Sequence, residues 1–500
     1  MQQNDGSWCK NSNGSGGGPN VWFVPFPHVT HFKCFFSFAL QLARQGLSIR
    51  FFCFDAEIRR ASEPETQFLL DGLSFQFHSC DSMLGDVDPS SHLVRGHVGV
   101  NAVHNAVVEF MKSELQSGRK PACLISDLWF SLTRDVAAEC GIPAWLLSPY
   151  SSVYLSVVSY IAELESKGIL NLPNSPSEEG SREEIISFPG VPLLRIHEIP
   201  HFYFNKNSAI CKAALRNARS IAKCDVILLT SFYELESSSF REFERFIKSV
   251  AAKNGREILH ILHVGPTFHF LLSSKDESRL NLLQGGEEKH PTIKFLDSQA
   301  ASSVLLVIFG TLVNFSEEQM VEIALGLENS NQPFLCALNS PLKGSGVGGD
   351  DVFSVIPADC VERTRGRGLF VQGWVPQLQL LAHPATGGFV SHCGFNSILE
   401  SLSAGVPILA WPHATDQFVN CRFIVDEAHV AIEVHRGPGA FVDREEVERS
   451  VKALFHTEEG AIVRKRAHEM RDLAAWTVGE KGTTRENIHT LVALIRGQVT

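Results

Sequence analysis

The sequence predicts an α/β protein made of two doubly wound parallel-sheet domains in tandem. Short β-branched and aromatic runs alternate with longer helix-period segments from Val21 onward, the pattern of parallel strands joined by crossover helices. These runs fall into two sets on either side of a polar stretch, Ser273 to Arg279. A chain of 500 residues also exceeds what one hydrophobic core serves, because cores stop growing near roughly 250 to 300 residues.

Taken in order, Met1 to Asn20 is rich in Gly, Ser and Asn, lacks an apolar centre, and is expected to be a disordered tail rather than a signal peptide. Strands are expected at Val21 to Pro25, Leu47 to Phe54, Cys123 to Ser126, Ala144 to Leu147 and Val226 to Thr230. The Gly265-Pro266 turn and the polar run after it mark a boundary. A second set is expected at Val304 to Phe309, Pro333 to Leu338, Gly388 to Ser391, Ile408 to Ala410 and Ala431 to Val434. A last helix is expected from Thr483, whose hydroxyl would form a capping box with Glu486 ahead of the apolar Ile488, Leu491, Leu494 and Ile495. The expected organisation is a tail 1–20, a first domain 21–264, a linker 265–290, a second domain 291–480, and a terminal helix 481–500 packing back toward the first domain.

Composition limits the function. With 44% hydrophobic and 20% charged residues the chain is globular, and a net charge of −11 argues against nucleic acid or an anionic membrane as its main partner. The 12 cysteines are scattered without a Cys-x-x-Cys pair, which suits reduced thiols and a cytoplasmic location rather than a disulfide framework or zinc site. The longest apolar run, Val304 to Phe309, is a buried strand by length and far below the roughly 18 residues of a membrane span. Gly344 to Gly349 imitates a dinucleotide-binding turn but lacks the strand and helix that such a turn joins. His260, His263 and His269 fall on different faces of a strand or past its end, so they are not expected to hold a metal.

The chemistry concentrates between Trp374 and Gln417. Pro376 suits the first position of a helix, with the Trp374 ring just before it as a platform for a planar base. Gly387 to Val390 then leads as a strand into Ser391-His392-Cys393-Gly394-Phe395-Asn396-Ser397 at a helix start. Gly394 would let backbone N–H groups approach an anion there, and the side chains of His392, Asn396 and Ser397 add donors, which together suit a diphosphate. Glu400, one turn beyond Asn396, can accept both hydroxyls of a ribose. Asp416 and Gln417 follow a strand end, where open α/β sheets place ligand contacts.

This segment resembles the signature box of plant UDP-dependent glycosyltransferases, the family 1 enzymes of GT-B fold: two tandem Rossmann-like domains with an interdomain cleft. The resemblance extends to Pro189-Gly-Val-Pro192, Asp225 to Leu235, Val264-Gly-Pro266 and Phe309-Gly-Thr311. It implies that Trp374, with Val375 beside it, stacks on uracil and that Gln377 and Glu400 hold the ribose. His392, Gly394, Phe395, Asn396, Ser397 and Thr311 would line the diphosphate, and Asp416 and Gln417 would hold the sugar hydroxyls. It further implies that His31, in Pro25-Phe-Pro-His28-Val-Thr30-His31 between the first strand and first helix, is the general base, oriented by Asp127. The chemistry needs such a pair, since a hydroxyl is a poor nucleophile and a positioned base contributes about 10² to 10⁴ in rate. His28 competes for the role but lies in the turn rather than at the helix start.

Four positions depart from the family pattern. Thr30 replaces the glycine before the base and is expected to cap the first helix, with Cys34 for a nearby proline. Phe395 replaces a Trp, and Pro149 a donor-contacting Thr, with Ser148 or Ser151 close enough to substitute. The reading is therefore an inverting, metal-independent transferase, expected to be monomeric, that moves glucose from UDP-glucose, a co-substrate rather than a cofactor, to a small apolar phenolic, flavonoid or terpenoid hydroxyl. UDP-xylose or UDP-rhamnose as donor, and a non-catalytic UDP-sugar-binding protein, are the alternatives.

Overall fold

A computed structural model describes residues 18–61, 69–81, 99–170, 172–173, 184–267, 290–310, 313–338, 352–434 and 441–498. Most of the expected tail, the Gly344 to Gly349 stretch, His269 and most of the expected linker lie outside the described residues, while Asn20, expected in the tail, opens the first strand. The apolar runs form two parallel sheets. The first has seven strands: β1 (Asn20–Val24), β2 (Ser48–Cys53), β3 (Phe75–Ser79), β4 (Cys123–Ser126), β5 (Ala144–Ser148), β8 (Val226–Leu229) and β9 (His260–His263), in the order β3-β2-β1-β4-β5-β8-β9. β6 (Ile185–Ile186) and β7 (Leu194–Arg195) form a separate antiparallel ribbon. The second sheet has six strands: β10 (Val304–Ile308), β11 (Phe334–Leu338), β12 (Gly368–Gln372), β13 (Thr386–Ser391), β14 (Ile408–Ala410) and β15 (Ala431–Glu433), in the order β12-β11-β10-β13-β14-β15. Each sheet is doubly wound, because its strand order reverses beside its first strand.

Besides the short ribbon β6–β7, two strands of the large sheets were not expected, β3 and β12, and both are edge strands. An edge strand is covered less completely, so its sequence need not be a continuous apolar run: β3 reads Phe-Gln-Phe-His-Ser with no buried residue, and β12 opens on Gly368. Central strands such as β4 and β10 are buried throughout and were legible for that reason.

The chain divides into two compact units, Met1–Asn171 with Asn205–Leu283 and Thr477–Thr500, and Leu172–Phe204 with Gln284–Trp476. In the first, Phe23, Phe35, Phe38 and Phe51 pack around the sheet, and the helix Thr483–Ile495 adds Ile488, Leu491 and Ile495 to the same core. In the second, Leu305, Phe334, Cys336 and Leu409 from the strands meet Met320, Val447 and Leu454 from the helices. The segment Leu172–Phe204 groups with the second unit. Its anchor is Arg422, fully buried, whose guanidinium meets Glu198 Oε1 at 3.2 Å and also pairs with Glu433. Burying a cation requires such partners, and the Glu198 carboxylate supplies one from outside the sheet.

Three caps differ from expectation. His28, not Thr30, caps the helix Val29–Arg44, with Nδ1 2.9 Å from the Thr30 hydroxyl. Pro376 precedes the helix Gln377–Ala382 as its cap rather than opening it. Gly482 caps the last helix, while the Thr483 hydroxyl is spent on Glu234 at 3.0 Å and the Thr484 hydroxyl on the Gly265 carbonyl at 2.5 Å. At the last helix a tertiary partner took the hydroxyl, whereas at the first helix the His28 side chain caps locally by accepting from the Thr30 N–H.

Candidate functional site

Parallel pairing sets the first group. β1 and β4 are neighbours with Val24 opposite Ser126, and Asp127 N–H donates to the Val24 carbonyl at 3.0 Å. The chain leaving β1 turns through Pro25 to His28 and enters the helix Val29–Arg44, which carries His31 on its first turn over the end of β4. The result is a 2.7 Å contact between His31 Nδ1 and Asp127 Oδ2. Asp127 is 0% exposed, its Oδ1 accepts from Trp129 N–H at 3.1 Å, and the Arg134 guanidinium donates to its carbonyl at 2.6 Å. An ionised carboxylate can only accept, so Nδ1 carries a proton, and in the neutral imidazole the lone pair then lies on Nε2. That is the form of a histidine that can take a proton. Phe26 and Tyr150 lie against the ring, and Trp129 packs on Phe26.

The second group lies at the carboxyl ends of β10, β13 and β14, where Ile308, Ser391 and Ala410 stand in one row. His392 follows β13. A Cβ on Gly310 would sit 2.9 Å from its Cε1, and one on Gly394 2.5 Å from its Nε2, so glycine at both positions makes room for the ring. Burial holds the imidazole neutral, with its pKa lowered to about 4. Cys393 then adopts φ +64°, a conformation costly for a residue with a side chain, and this turns Gly394 into the cap of the helix Phe395–Ala404. Among the described residues no side chain caps that helix start, so its N–H groups point outward at an anion-binding position. Asn396 and Ser397 are half-buried in its first turn.

Gln377 joins that helix to the loop after β12. Its Nε2 donates to Glu400 Oε2 at 2.7 Å and to Ser397 Oγ at 3.2 Å. Trp374, beside Gly373 at φ +86°, is 70% exposed, an unusual position for an indole and one that leaves a face open to stack. Val375 and Phe395 are both buried, 4% and 3% exposed. Thr311 lies outside the described residues.

Asp416 and Gln417 sit on the turn after β14, beside Thr415 at φ +55°. Gln417 Oε1 accepts from the N–H groups of His413 and Ala414, each at 2.9 Å, which fixes the amide and directs its NH₂ away from the turn. Asp416 Oδ2 accepts from Asn420 Nδ2 at 2.7 Å, and the same nitrogen donates to the Cys393 carbonyl at 3.1 Å. Asn420 thus ties the His392 turn to the Asp416 turn. The sequence reading missed it, although its i,i+4 spacing from Asp416 is a usable signal. It also missed His413, which packs against Phe309 and Phe315 and is held neutral, near 4, by burial and then by His392.

Among the described residues, no cluster of three or more His, Cys, Asp or Glu side chains is placed to hold a metal ion. His263 lies against Phe240, ring centroids 4.5 Å apart, as a core residue.

Comparison with known proteins places these groups in context. A family model described as UDP-glucoronosyl and UDP-glucosyl transferase matches residues 230–458. UDP-glycosyltransferase 85A1 of Arabidopsis thaliana is 30% identical over 492 residues, covering 95% of this chain and 96% of its own. Phloretin 2'-O-glucosyltransferase of Malus domestica is 30% identical over 398 residues, covering 77% of this chain and 80% of its own. Among solved structures, Medicago truncatula UGT71G1 complexed with UDP-glucose superposes with a TM-score of 0.73 at 26% identity, over 96% of this chain and 99% of that one.

Proposed function

The chain belongs to the family of UDP-glucuronosyl and UDP-glucosyl transferases, and from that premise we propose a reaction for its two groups of residues. It is an enzyme that transfers a sugar, glucose, from a UDP-sugar to a hydroxyl of a small apolar acceptor of phenolic, flavonoid or terpenoid type. His31 Nε2 takes the acceptor proton while Asp127 holds Nδ1–H and stabilises the imidazolium. The freed oxygen attacks C1 of the glucose opposite the diphosphate, the C1–O bond to phosphate breaks, and the configuration inverts. Charge then gathers on the leaving UDP, which the start of the helix Phe395–Ala404, with His392, Asn396 and Ser397, stabilises through backbone and side-chain donors. Trp374 stacks on uracil, Gln377 and Glu400 hold the ribose, and Asp416 and Gln417 hold the sugar hydroxyls. The UDP-sugar is a co-substrate, and this scheme calls for no metal.

The observation that carries the enzyme reading is the 2.7 Å contact of His31 with the buried Asp127, because a protein that only bound UDP-sugar would have no use for a polarised imidazole. The eleven described cysteines are all free thiols, which supports a reducing, cytoplasmic setting. No described helix is long and apolar enough to cross a membrane. We expect a monomer.

The test is a competition of UDP-glucose, UDP-galactose, UDP-xylose, UDP-rhamnose and UDP-glucuronate over a mixed phenolic and terpenoid library, read by mass spectrometry, with His31→Ala alongside. Glucosides from the wild type, and almost none from the variant at unchanged UDP affinity, are expected. Full turnover by the variant would overturn the assignment of the base.

A further inference from the structure

His31 sits in a closed circuit of four rings supplied by the carboxyl ends of three adjacent strands. β1 leads into Phe26 and His31, β4 into Trp129 and β5 into Tyr150, and these strands lie side by side in the order β1-β4-β5. Ring centroids are 5.1 Å apart for Phe26 and His31, 5.4 Å for His31 and Tyr150, and 5.9 Å for Phe26 and Trp129. The circuit closes where the Trp129 indole N–H donates to the Tyr150 hydroxyl at 3.1 Å. Trp129 is itself fixed by the carboxylate that fixes the imidazole, since its backbone N–H donates to Asp127 Oδ1 while His31 meets Oδ2.

One hydrogen bond at Nδ1 leaves the imidazole free to swing about that contact, and a swing of a few tenths of an ångström moves Nε2 off the proton it must take. Phe26 and Tyr150 both press on the ring, the latter edge to face at 73°, and remove that freedom. When Nε2 is protonated the ring becomes a cation in a place where its side chain is only 12% exposed, and an aromatic ring within about 6 Å favours that charge. Tyr150 cannot itself drift, because Trp129 holds its hydroxyl and Tyr154 lies against it at 4.9 Å. We propose that Tyr150, locked by Trp129, is a positioning residue for the general base, acting on proton transfer through His31 rather than on the sugar donor. This rests on the assignment of His31 as the base.

The experiment compares two acceptors at mildly alkaline pH, 4-methylphenol, whose hydroxyl is protonated, and 4-nitrophenol, which is ionised and needs no base. Tyr150→Leu is expected to lower kcat at least about tenfold on methylphenol and less than about threefold on nitrophenol, with UDP affinity unchanged, because only the first reaction uses the imidazole. Tyr150→Phe and Trp129→Phe each remove the same hydrogen bond, so both should show a smaller loss of the same selectivity, and the double variant should be no worse than either alone. Equal losses on both acceptors, or a change confined to KM, would overturn the proposal and make Tyr150 a wall of the acceptor site. His31→Ala retaining full turnover on methylphenol, or wild type transferring sugar to neither phenol nor to any member of the phenolic and terpenoid library, would instead refute the functional reading beneath it.

Discussion

Replacing Asp127 by Asn tests the orienting role with almost no change of shape. The carboxylate is fully buried and makes two contacts that an amide cannot both reproduce, one with His31 Nδ1 at 2.7 Å and one with Trp129 N–H at 3.1 Å. If the amide oxygen stays on Trp129, its NH₂ faces Nδ1 and the imidazole must move its proton to Nε2, where it can no longer act as a base. If the amide flips, the NH₂ opposes the Trp129 N–H and that hydrogen bond is lost. Either way a charge-assisted bond worth about 1.5–3 kcal/mol is lost, together with the countercharge to the imidazolium, and each 1.4 kcal/mol is a factor of ten. The expected outcome is a fall in kcat of about 10²-fold or more, with the Kd for UDP unchanged within about twofold. Steady-state kinetics and calorimetric UDP titration on the same preparation check it. A kcat within about threefold of wild type, or a parallel loss of UDP affinity, refutes the reasoning.

Asn420→Ala removes the 2.7 Å partner of Asp416, so KM for UDP-glucose should rise by about tenfold while Kd for UDP changes less, as separate binding and rate measurements would show. Activity should survive EDTA, because the leaving diphosphate is met by a helix start and neutral donors; strict dependence on an added divalent ion would sink that account. Phe395→Trp enlarges a side chain that is 3% exposed, so it should act on packing, lowering Tm by an amount equivalent to about 1–3 kcal/mol without changing which UDP-sugar wins in competition. His78, His392 and His413 are each held near 4 by burial, with Arg50 contributing at His78 and His392 at His413, whereas an unfolded histidine titrates near 6.5. Between those values the unfolded chain binds more protons, so this stability is full above about pH 6.5 and is lost as pH falls toward 4. A Tm series across that window checks the slope, which His78→Gln should flatten.

Much of this protein was legible in sequence because its information is local. A continuous apolar run such as Val304–Ile308 can only be a strand buried on both faces, and a strand, a glycine turn and a helix start fall within the single stretch Thr386–Ala404, so its anion-binding geometry follows from spacing alone. Glu400 one turn beyond Asn396, and Asp416 beside Gln417, were legible for the same reason. Two of the edge strands were not, since β3 and β12 need no continuous apolar pattern. Nor were the caps, where Thr483 gave its hydroxyl to Glu234, 249 residues away. The tertiary structure alone decided what meets across the chain. His31 and Asp127 are 96 residues apart and touch because Val24 pairs with Ser126. Trp129 closes on Tyr150 because β4 and β5 are neighbours, and Asn420, which meets Asp416 four residues before it, reaches Cys393 because β13 and β14 are. Segment Leu172–Phe204 joins the second unit through Glu198 and the buried Arg422. Periodicity fixes which face of an element is apolar, but strand order and register, set by the packing of whole sheets, fix which polar side chains arrive within 3 Å of one another.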